Sequence, residues 1–374
     1  MSFTRIKGIG IWVAMLMCVV FLVAVVPGSG KAAQREKIKL RLAAGHPYAP
    51  GCFWIVGLED FFCREAEKRV RERTKYNLEI KSFYGGSVAK LGEALETVQN
   101  GLADLGLVLP VFEMAKLEPF NFTFWTPFTT SDMDKALRAA LKTIDHFPMF
   151  EEILKKYNQK RCGAGHTPQS SYQLITKFPV RTMDDLKGKK LGHGGPMLPW
   201  LAALGATSVQ ATYNEVYTSM DTGVIDGYSM PANVVTGFKI YEVGKYFTNV
   251  DFVATVTAFI TINLRSWNKL PKDVQDILAE VGNEYSWDIY KRCLADQNAA
   301  IDVMKNAGVA IYNLPEKERA RWAKTLDDAR VAAKAIASCK GHGYPADEIA
   351  RFYIKTLKED EGVKFPYPPT LDMK

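Results

Sequence analysis

The sequence lacks the short motifs that identify several large classes of enzyme. It contains no HExxH zinc motif, no P-loop, no nucleophile elbow and no GxGxxG stretch after a predicted strand. A glycine-rich stretch at 192–195 is not followed by the Lys-Ser or Lys-Thr pair that a phosphate loop needs. These absences argue against the corresponding hydrolase, kinase and dinucleotide chemistries.

Histidine and cysteine are scarce, which leaves little for a metal site. The chain has five histidines and six cysteines, without CxxC or Cys/His zinc spacing. His46 and His193 fall on predicted loops, but no carboxylate or cysteine accompanies them at ligand spacing. We therefore predict no metal and no cofactor. Cys18 lies in the N-terminal segment that is predicted below to be removed on export, which leaves five cysteines: Cys52, Cys63, Cys162, Cys293 and Cys339. Because five is an odd number, at least one thiol is unpaired, and we expect buried thiols with at most one disulfide.

Positive charge is not concentrated in a stripe of the kind that binds nucleic acid. The formal net charge is +7, and most charges of the two signs are interspersed. The densest basic run, KRVRERTK at 68–75, falls at the end of a predicted helix, where the helix dipole favours cations. We predict that no nucleic acid is a partner.

The N-terminus has the pattern of a secretory signal peptide. Arg5 and Lys7 precede an apolar run over 9–26, and a Pro-Gly stretch with small residues then allows cleavage after Ala32. We predict a signal peptide over 1–32 and export to the periplasm. An uncleaved membrane anchor is the alternative, because the run is long enough to span a bilayer.

Alternating strand and helix patterns over 183–231 predict an α/β protein with a parallel sheet. The predicted elements there are a strand near 189–191, a helix over 199–204, a strand over 208–212, a helix capped by Asn214 and ended by Gly223, and a strand over 224–227. Elsewhere we predict strands at 38–43, 78–83 and 252–263, helices at 53–73, 91–100, 147–160, 271–292 and 346–358, and an extended end over 365–374. His46 follows the first strand, at the carboxyl end where open α/β sheets bind ligands.

One short pattern occurs twice in the chain. Gly101-Leu102-Ala103-Asp104 follows one predicted helix, and Gly223-Val224-Ile225-Asp226 follows another. We interpret the pair as one supersecondary unit used once in each of two lobes. Coincidence is the alternative, because a glycine after a helix is common.

The segments DDLKGKKL, ALGATSV and YNEVYTSMDTGVIDG, followed by Pro231, resemble the second-lobe signature of the solute-binding proteins of tripartite ATP-independent periplasmic (TRAP) transporters. The resemblance covers about residues 37–343. It implies a two-lobed periplasmic binding protein fold in which a hinge closes a ligand cleft. We expect lobe I at 37–165 with 256–297, lobe II at 166–255 with 298–345, a C-terminal helix and tail at 346–374, and crossings between the lobes near 162–169 and 255–261.

Loop positions and the resemblance together suggest a set of ligand-binding residues. They are His46, Leu109, Trp125, Tyr172, Gly192, His193, Tyr213, Met230 and Asn233. The family usually has Arg where this chain has Gly192, and that Arg grips the ligand carboxylate; it often has Asn where this chain has Met230. Because a guanidinium holds a carboxylate with two hydrogen bonds, this chain is expected to lack the usual anchor. Other groups that could hold a ligand carboxylate instead are an Arg or Lys distant in sequence, the main-chain N–H groups of 192–195, or a protonated His193.

The resemblance implies a protein that binds a small organic ligand and delivers it to the membrane permease subunits of a TRAP transporter. It implies binding and not catalysis, so we expect a protein that is not an enzyme. We expect an organic acid that is more aromatic or apolar than C4-dicarboxylates and sialic acids, with Tyr213 and Trp125 on either side of a planar group. One alternative is a ligand sensor that docks on a receptor kinase or chemoreceptor. Another is a secreted enzyme that uses His46 or His193.

Overall fold

A computed structural model describes residues 35–359. The predicted signal peptide at 1–32 and the predicted extended end at 365–374 lie outside the described residues. Over 35–359, no helix combines the length and the apolar character needed to cross a membrane.

The strands form two mixed sheets. In chain order they are β1 (Glu36–Ala43), β2 (Tyr76–Phe83), β3 (Leu105–Val108), β4 (Gln159–Gln169), β5 (Gln173–Thr176), β6 (Lys190–His193), β7 (Thr207–Gln210), β8 (Gly227–Met230), β9 (Tyr246–Asn249), β10 (Thr255–Asn263) and β11 (Ala310–Asn313). The first sheet has the order β2-β1-β3-β10-β4, and the second has the order β11-β9-β5-β8-β6-β7. Strand β1 runs parallel to β2 and β3, and β6 runs parallel to β7 and β8. The α/β class predicted from the sequence is confirmed.

Helices cover the sheets. The α-helices are α1 (Phe53–Gly57), α2 (Arg64–Arg73), α3 (Ala94–Gln99), α4 (Met114–Leu117), α5 (Met133–His146), α6 (Met149–Lys156), α7 (Leu198–Ala202), α8 (Tyr213–Asp221), α9 (Ala232–Gly237), α10 (Leu264–Lys269), α11 (Lys272–Asn306), α12 (Glu316–Asp328), α13 (Val331–Gly341) and α14 (Ala346–Glu359). A π-helical stretch, Leu58–Cys63, joins α1 to α2, so the helix predicted over 53–73 is confirmed. Short 3-10 turns lie at Pro110–Phe112, Glu118–Phe124, Met183–Leu186, Gly195–Met197 and Ile240–Glu242.

Two helix starts correct the sequence-based assignment. Helix α8 is capped by Thr212 rather than Asn214, and Glu215 completes the capping box by accepting from the Thr212 N–H at 2.7 Å. Helix α5 was not predicted, although Asp132 caps it through the N–H groups of Asp134 and Lys135. In both places the capping residue is of a type that favours helix starts, Thr212 for α8 and Asp132 for α5.

The repeated pattern forms the same hydrogen-bonded joint in both sheets. The Asp104 N–H donates to the Arg41 carbonyl, and Asp104 Oδ2 accepts from the Arg41 N–H, both at 2.8 Å. Asp226 forms the same two bonds with Lys190, at 2.7 and 2.8 Å. The interpretation as one unit used twice is therefore confirmed.

The glycines before these aspartates complete the match. Gly101 and Gly223 have φ of +73° and +76°, a region that strains residues with a Cβ. Their carbonyls accept from the side chains of Arg41 and Lys190, each at 2.7 Å. The strand predicted over 224–227 is wrong, because residues 224–226 form a bend and β8 begins at Gly227.

Two short connections link the sheets, and helices α10 and α11 form a third, longer connection from β10 to β11. Strand β4 leads into β5 through residues 170–172, and β9 leads into β10 through residues 250–254. The short connections pair with each other, because the Tyr172 N–H donates to the Val253 carbonyl and the Phe252 N–H to the Tyr172 carbonyl, both at 3.2 Å.

The long helix α11 packs closely on β4 of the first sheet. A Cβ added to Gly282 would lie 1.9 Å from the Cys162 carbonyl oxygen, so only glycine allows this approach. Asn283 Oδ1 accepts from the Ala164 N–H at 2.6 Å, next to this contact. The cysteines at positions 52, 63, 162, 293 and 339 are all buried and free.

Candidate functional site: an aromatic cleft between the two sheets

A cleft lies where strands of both sheets end. His46 follows β1 and Leu109 follows β3 in the first sheet, while Gly194 follows β6 in the second. The carboxyl ends of parallel strands are where open α/β sheets bind ligands. The centres of water-sized spheres can occupy about 50 Å³ of the cleft, and the total space between its lining atoms, part of it open to solvent, is about 580 Å³.

Aromatic rings form a continuous series across the cleft. The His46 and Trp54 centroids are 5.1 Å apart, Trp54 and Tyr213 are 6.2 Å apart, and Tyr213 and Tyr228 are 6.0 Å apart. The series begins beside the first sheet and ends in β8 of the second. The full lining is His46, Trp54, Leu109, Val111, Phe112, Phe124, Thr167, Gln169, Tyr172, Gly194, Pro196, Met197, Tyr213, Tyr228, Ser229, Thr257 and Ala258.

Several buried polar atoms of this lining have no hydrogen-bond partner in the protein. They are both ring nitrogens of His46, Trp54 Nε1, Gln169 Oε1 and Ser229 Oγ. A buried polar group without a partner costs about 1–3 kcal/mol. A cluster of such groups around a cleft therefore indicates that a ligand or ordered water completes their bonds.

The histidine of the cleft is electrically neutral near pH 7. His46 is 2% exposed, and its burial lowers its pKa to about 4. One ring nitrogen of a neutral imidazole donates and the other accepts. His46 therefore offers one hydrogen-bond donor and one acceptor, and no charge.

Among the cleft-lining residues that the structure describes, none is Arg, Lys, Asp or Glu. Three lysines that lie close in sequence to residues of the cleft are engaged elsewhere. Lys116 pairs with Glu96 and with Glu113, the latter at 3.3 Å. Lys189 lies 4.8 Å from the centroid of the Phe178 ring. Lys190 donates to a main-chain carbonyl in the joint described above.

Position 192 has no room for a longer side chain. Gly192 in β6 is paired in register with Tyr228 in β8. A Cβ on Gly192 would lie 2.6 Å from Tyr228 Cδ2 and 2.9 Å from Ile225 Cδ1. The Tyr228 hydroxyl donates to the Ala211 carbonyl at 2.7 Å, which holds the ring in place. The ring of Tyr228 thus fills the space next to Gly192.

The loop after β6 does not form an anion-binding nest of alternating right- and left-handed residues. Gly192, Gly194 and Gly195 all lack the positive φ that such a nest requires. His193 is fully buried, and burial lowers its pKa, so it is not protonated at neutral pH. Its Nδ1 lies 3.0 Å from the Gly194 carbonyl oxygen.

Four of the nine predicted site residues line the cleft: His46, Leu109, Tyr172 and Tyr213. The other five lie outside its lining. Trp125 and Met230 are in the hydrophobic cores. Gly192 and His193 are covered by their neighbours. Asn233 joins Ser170 to Cys293, accepting from the former at 3.3 Å and donating to the sulfur of the latter at 3.4 Å.

Sequence analysis missed Trp54, Gln169 and Ser229. The ring next to Tyr213 is Trp54 rather than the expected Trp125. Trp54 stands in the first turn of α1, just after the loop that carries His46, and this position was the available signal. Gln169 ends β4 where the chain leaves the first sheet, and nothing in its local sequence distinguishes it. Within 35–359, no three or more His, Cys, Asp or Glu residues are placed to hold a metal ion.

Comparison with known proteins defines the class to which this fold and cleft belong. The profile of the bacterial extracellular solute-binding protein family 7 matches residues 61–333. The chain belongs to this family, and it is a TRAP-type solute-binding protein with the two-lobed α/β fold.

Individual relatives agree with this assignment. A C4-dicarboxylate-binding periplasmic protein of Rhodobacter capsulatus is 32% identical over 286 residues, which cover 73% of this chain and 84% of the relative. A solute-binding protein of Sulfitobacter sp. NAS-14.1 is 30% identical over 59% of this chain and 66% of its own length. The crystal structure of a TRAP solute-binding protein from Desulfovibrio salexigens with bound orotic acid has a TM-score of 0.70 at 19% identity, covering 86% of this chain and 99% of that one.

Proposed function

We propose that this protein binds a small organic compound with a planar, largely apolar body and delivers it to the membrane permease of a TRAP transporter. The observation that supports this ligand class is the series of rings from His46 to Tyr228, which spans the cleft between the sheets. Rings of this kind bind planar groups, with about 0.5–1.5 kcal/mol per pair beyond the area buried.

The relatives bind acids of different shape. The Rhodobacter relative is named for linear C4-dicarboxylates, and the Desulfovibrio structure holds orotic acid, a planar ring. The aromatic rings of the lining favour the ring-bearing type for this chain. Among organic acids, those with a planar ring are the expected ligands, and linear dicarboxylates are not.

Binding rather than catalysis is the proposed role. The protein acts in the periplasm, exported by the segment at 1–32, and closes over its ligand by a hinge. The hinge runs through the paired connections at 170–172 and 250–254. No observation favours the ligand-sensor or secreted-enzyme alternatives.

Mass spectrometry of ligand released from freshly purified protein tests this proposal. A thermal-shift screen of linear dicarboxylates and planar ring compounds supplies a second measurement. We expect a planar compound to be released and to raise the melting temperature. A strong shift with succinate or malate, and none with any ring compound, would contradict the ligand class. Turnover of a bound compound that disappears in His193→Ala would contradict the binding role.

A further inference from the structure

The unpaired polar atoms of the cleft can be satisfied only by a ligand that has both hydrogen-bond donors and acceptors. Trp54 Nε1–H only donates, Gln169 Oε1 accepts, and neutral His46 does one of each. Ser229 Oγ can do either. A carboxylate only accepts hydrogen bonds, so it would leave the acceptors of this set without partners.

Charge gives a second reason to exclude an ionised ligand group. An ion taken out of water costs several kcal/mol unless a counter-charge or a full set of donors replaces the water. Of the side chains described around the cleft, none carries a charge at neutral pH. No residue of 192–195 has a positive φ, so this stretch forms no nest of alternating right- and left-handed residues, and Tyr228 occupies the space beside Gly192.

The rings fix the shape of the ligand. Trp54 and Tyr213, contributed by α1 and α8, face the cleft from opposite lobes. Trp54 is almost completely buried, and the ring of Tyr213 packs against the rings of Trp54 and Phe238. Each residue therefore presents an uncharged ring surface to the cleft. A flat compound that carries its hydrogen-bond donors and acceptors on the ring itself can pack against these rings and bond to the unpaired polar atoms at the same time.

We propose that the cleft recognises the uncharged N–H and C=O groups of a planar heterocycle or cyclic amide, and that it binds such a compound better than the ionised carboxylate of the same ring. This inference rests on the proposed function and narrows its ligand class. A carboxylate is then an obstacle to binding in this chain instead of the group by which the ligand is held.

Competitive enrichment from matched pairs tests the inference. The full mature chain is incubated at about pH 7.5, where simple carboxylic acids are ionised, with equimolar pairs such as uracil and orotate, or benzamide and benzoate. Retained compounds are quantified by mass spectrometry after separation. We expect the neutral member of each retained pair to be enriched at least about tenfold, or about 1.4 kcal/mol. Enrichment of the carboxylates overturns the inference and leaves the proposed function in place.

Retention of no compound from any pair contradicts the proposed function, and the inference falls with it. Salt dependence gives an independent readout for any compound that binds. Binding of a neutral ligand should change by less than about twofold between low salt and about 0.5 M salt, because no charge pair is screened. A severalfold loss of affinity with salt would show that a charge is recognised and would overturn the inference.

A charge placed in the lining provides a matched variant test. Met197 lines the cleft, and Met197→Lys adds a cation of similar length there, while Val303→Lys adds the same charge at an exposed position of α11 outside the lining. We expect Met197→Lys to shift the enrichment towards the carboxylate members, and Val303→Lys to keep the preference of the wild type. Equal preference in the wild type and Met197→Lys would contradict the claim that missing charge sets the selectivity. If Met197→Lys does not fold, the salt and enrichment measurements on the wild type decide.

Discussion

Single side chains in the cleft have lost their contact with water and have gained no partner within the protein. Trp54 is 2% exposed, and its Nε1–H makes no hydrogen bond with another residue. Such a group has a cost in the unliganded protein that a ligand removes, so it contributes to affinity and to selectivity. Unpaired polar atoms also occur in the hydrophobic cores, at Trp322 Nε1 and Tyr353 Oη, so the binding site is distinguished by several such atoms around one cleft.

Removal of this donor should weaken binding without changing the fold. Trp54→Phe keeps an aromatic ring and deletes Nε1–H, so we expect the Kd of the bound compound to rise about two- to tenfold, or about 0.5–1.5 kcal/mol. Calorimetric titration measures the change. Trp125→Phe is the matched control, because Trp125 lies in a hydrophobic core outside the cleft. A larger loss of affinity in Trp125→Phe than in Trp54→Phe would contradict this assignment of the site.

Gly192 illustrates a limit of reasoning from sequence. Its lack of a side chain was evident from the sequence, but the occupation of the adjacent space by Tyr228 was not, because the two residues are brought together by the pairing of β6 with β8. An arginine added at this position alone would collide with the Tyr228 ring. A Gly192→Arg variant therefore tests packing before it tests ligand specificity.

The packing at Gly192 can be measured directly. We expect Gly192→Ala to lower the free energy of unfolding by about 1–3 kcal/mol, as overpacking of a core does. Gly194→Ala is the control: its Cβ would meet no atom within 4 Å, and its φ is −86°. It should change stability by no more than about 0.5 kcal/mol. Equal costs for the two variants in urea unfolding would be inconsistent with a filled space at position 192.

At the scale of secondary-structure elements, local patterns predicted much of the fold. The joint at Gly101 and Gly223 repeated in sequence because each needs a glycine at positive φ and an aspartate that bonds to the neighbouring strand. The helix over 53–73 followed from its apolar face. The site was less predictable: Trp54 and Tyr213 are far apart in the chain, and only the arrangement of the two lobes places their rings 6.2 Å apart.

The contact between α11 and β4 depends on one glycine. Alanine is normally the better helix former by about 0.8–1.0 kcal/mol. At position 282 we expect the opposite result, because the added Cβ would meet the Cys162 carbonyl, which belongs to the main chain and has little freedom to move. Gly282→Ala should be destabilising by about 1–3 kcal/mol. In α13, Gly341→Ala meets no atom within 4 Å and should be neutral or slightly stabilising. A stable Gly282→Ala variant would show that α11 lies further from β4.

At the scale of the whole molecule, buried histidines link stability to pH. Burial lowers the pKa of His166 to about 3, below the value near 6.5 expected in the unfolded chain. Between these values the unfolded chain binds a proton that the folded protein does not, so His166 makes the protein less stable as the pH falls from about 6.5 towards 3. Glu113 acts in the opposite direction between about pH 4.5 and 7, because burial raises its pKa to about 7.

A difference measurement isolates the histidine from the other groups. His166→Leu removes the titrating ring from a buried position. Relative to this variant, the wild type should lose on the order of 2 kcal/mol of stability between pH 7.5 and pH 5. Denaturant unfolding at the two pH values measures this. A constant difference across that range would be inconsistent with a neutral, buried His166.

Ligand binding should change the shape of the whole molecule. If the paired connections at 170–172 and 250–254 act as a hinge, the lobes close over the ligand as rigid bodies. Small-angle X-ray scattering should then give a smaller radius of gyration with saturating ligand than without. An unchanged scattering profile at saturation would argue against hinge closure.

The central claim is that the ligand binds in the aromatic cleft between the two sheets. A crystal structure of the protein with the compound that it retains on purification tests this most directly. We expect electron density for a planar compound in contact with Trp54 and Tyr213, with its polar groups within hydrogen-bond distance of His46, Gln169 or Ser229. Density for the compound at another place, with the cleft holding only water, would contradict it.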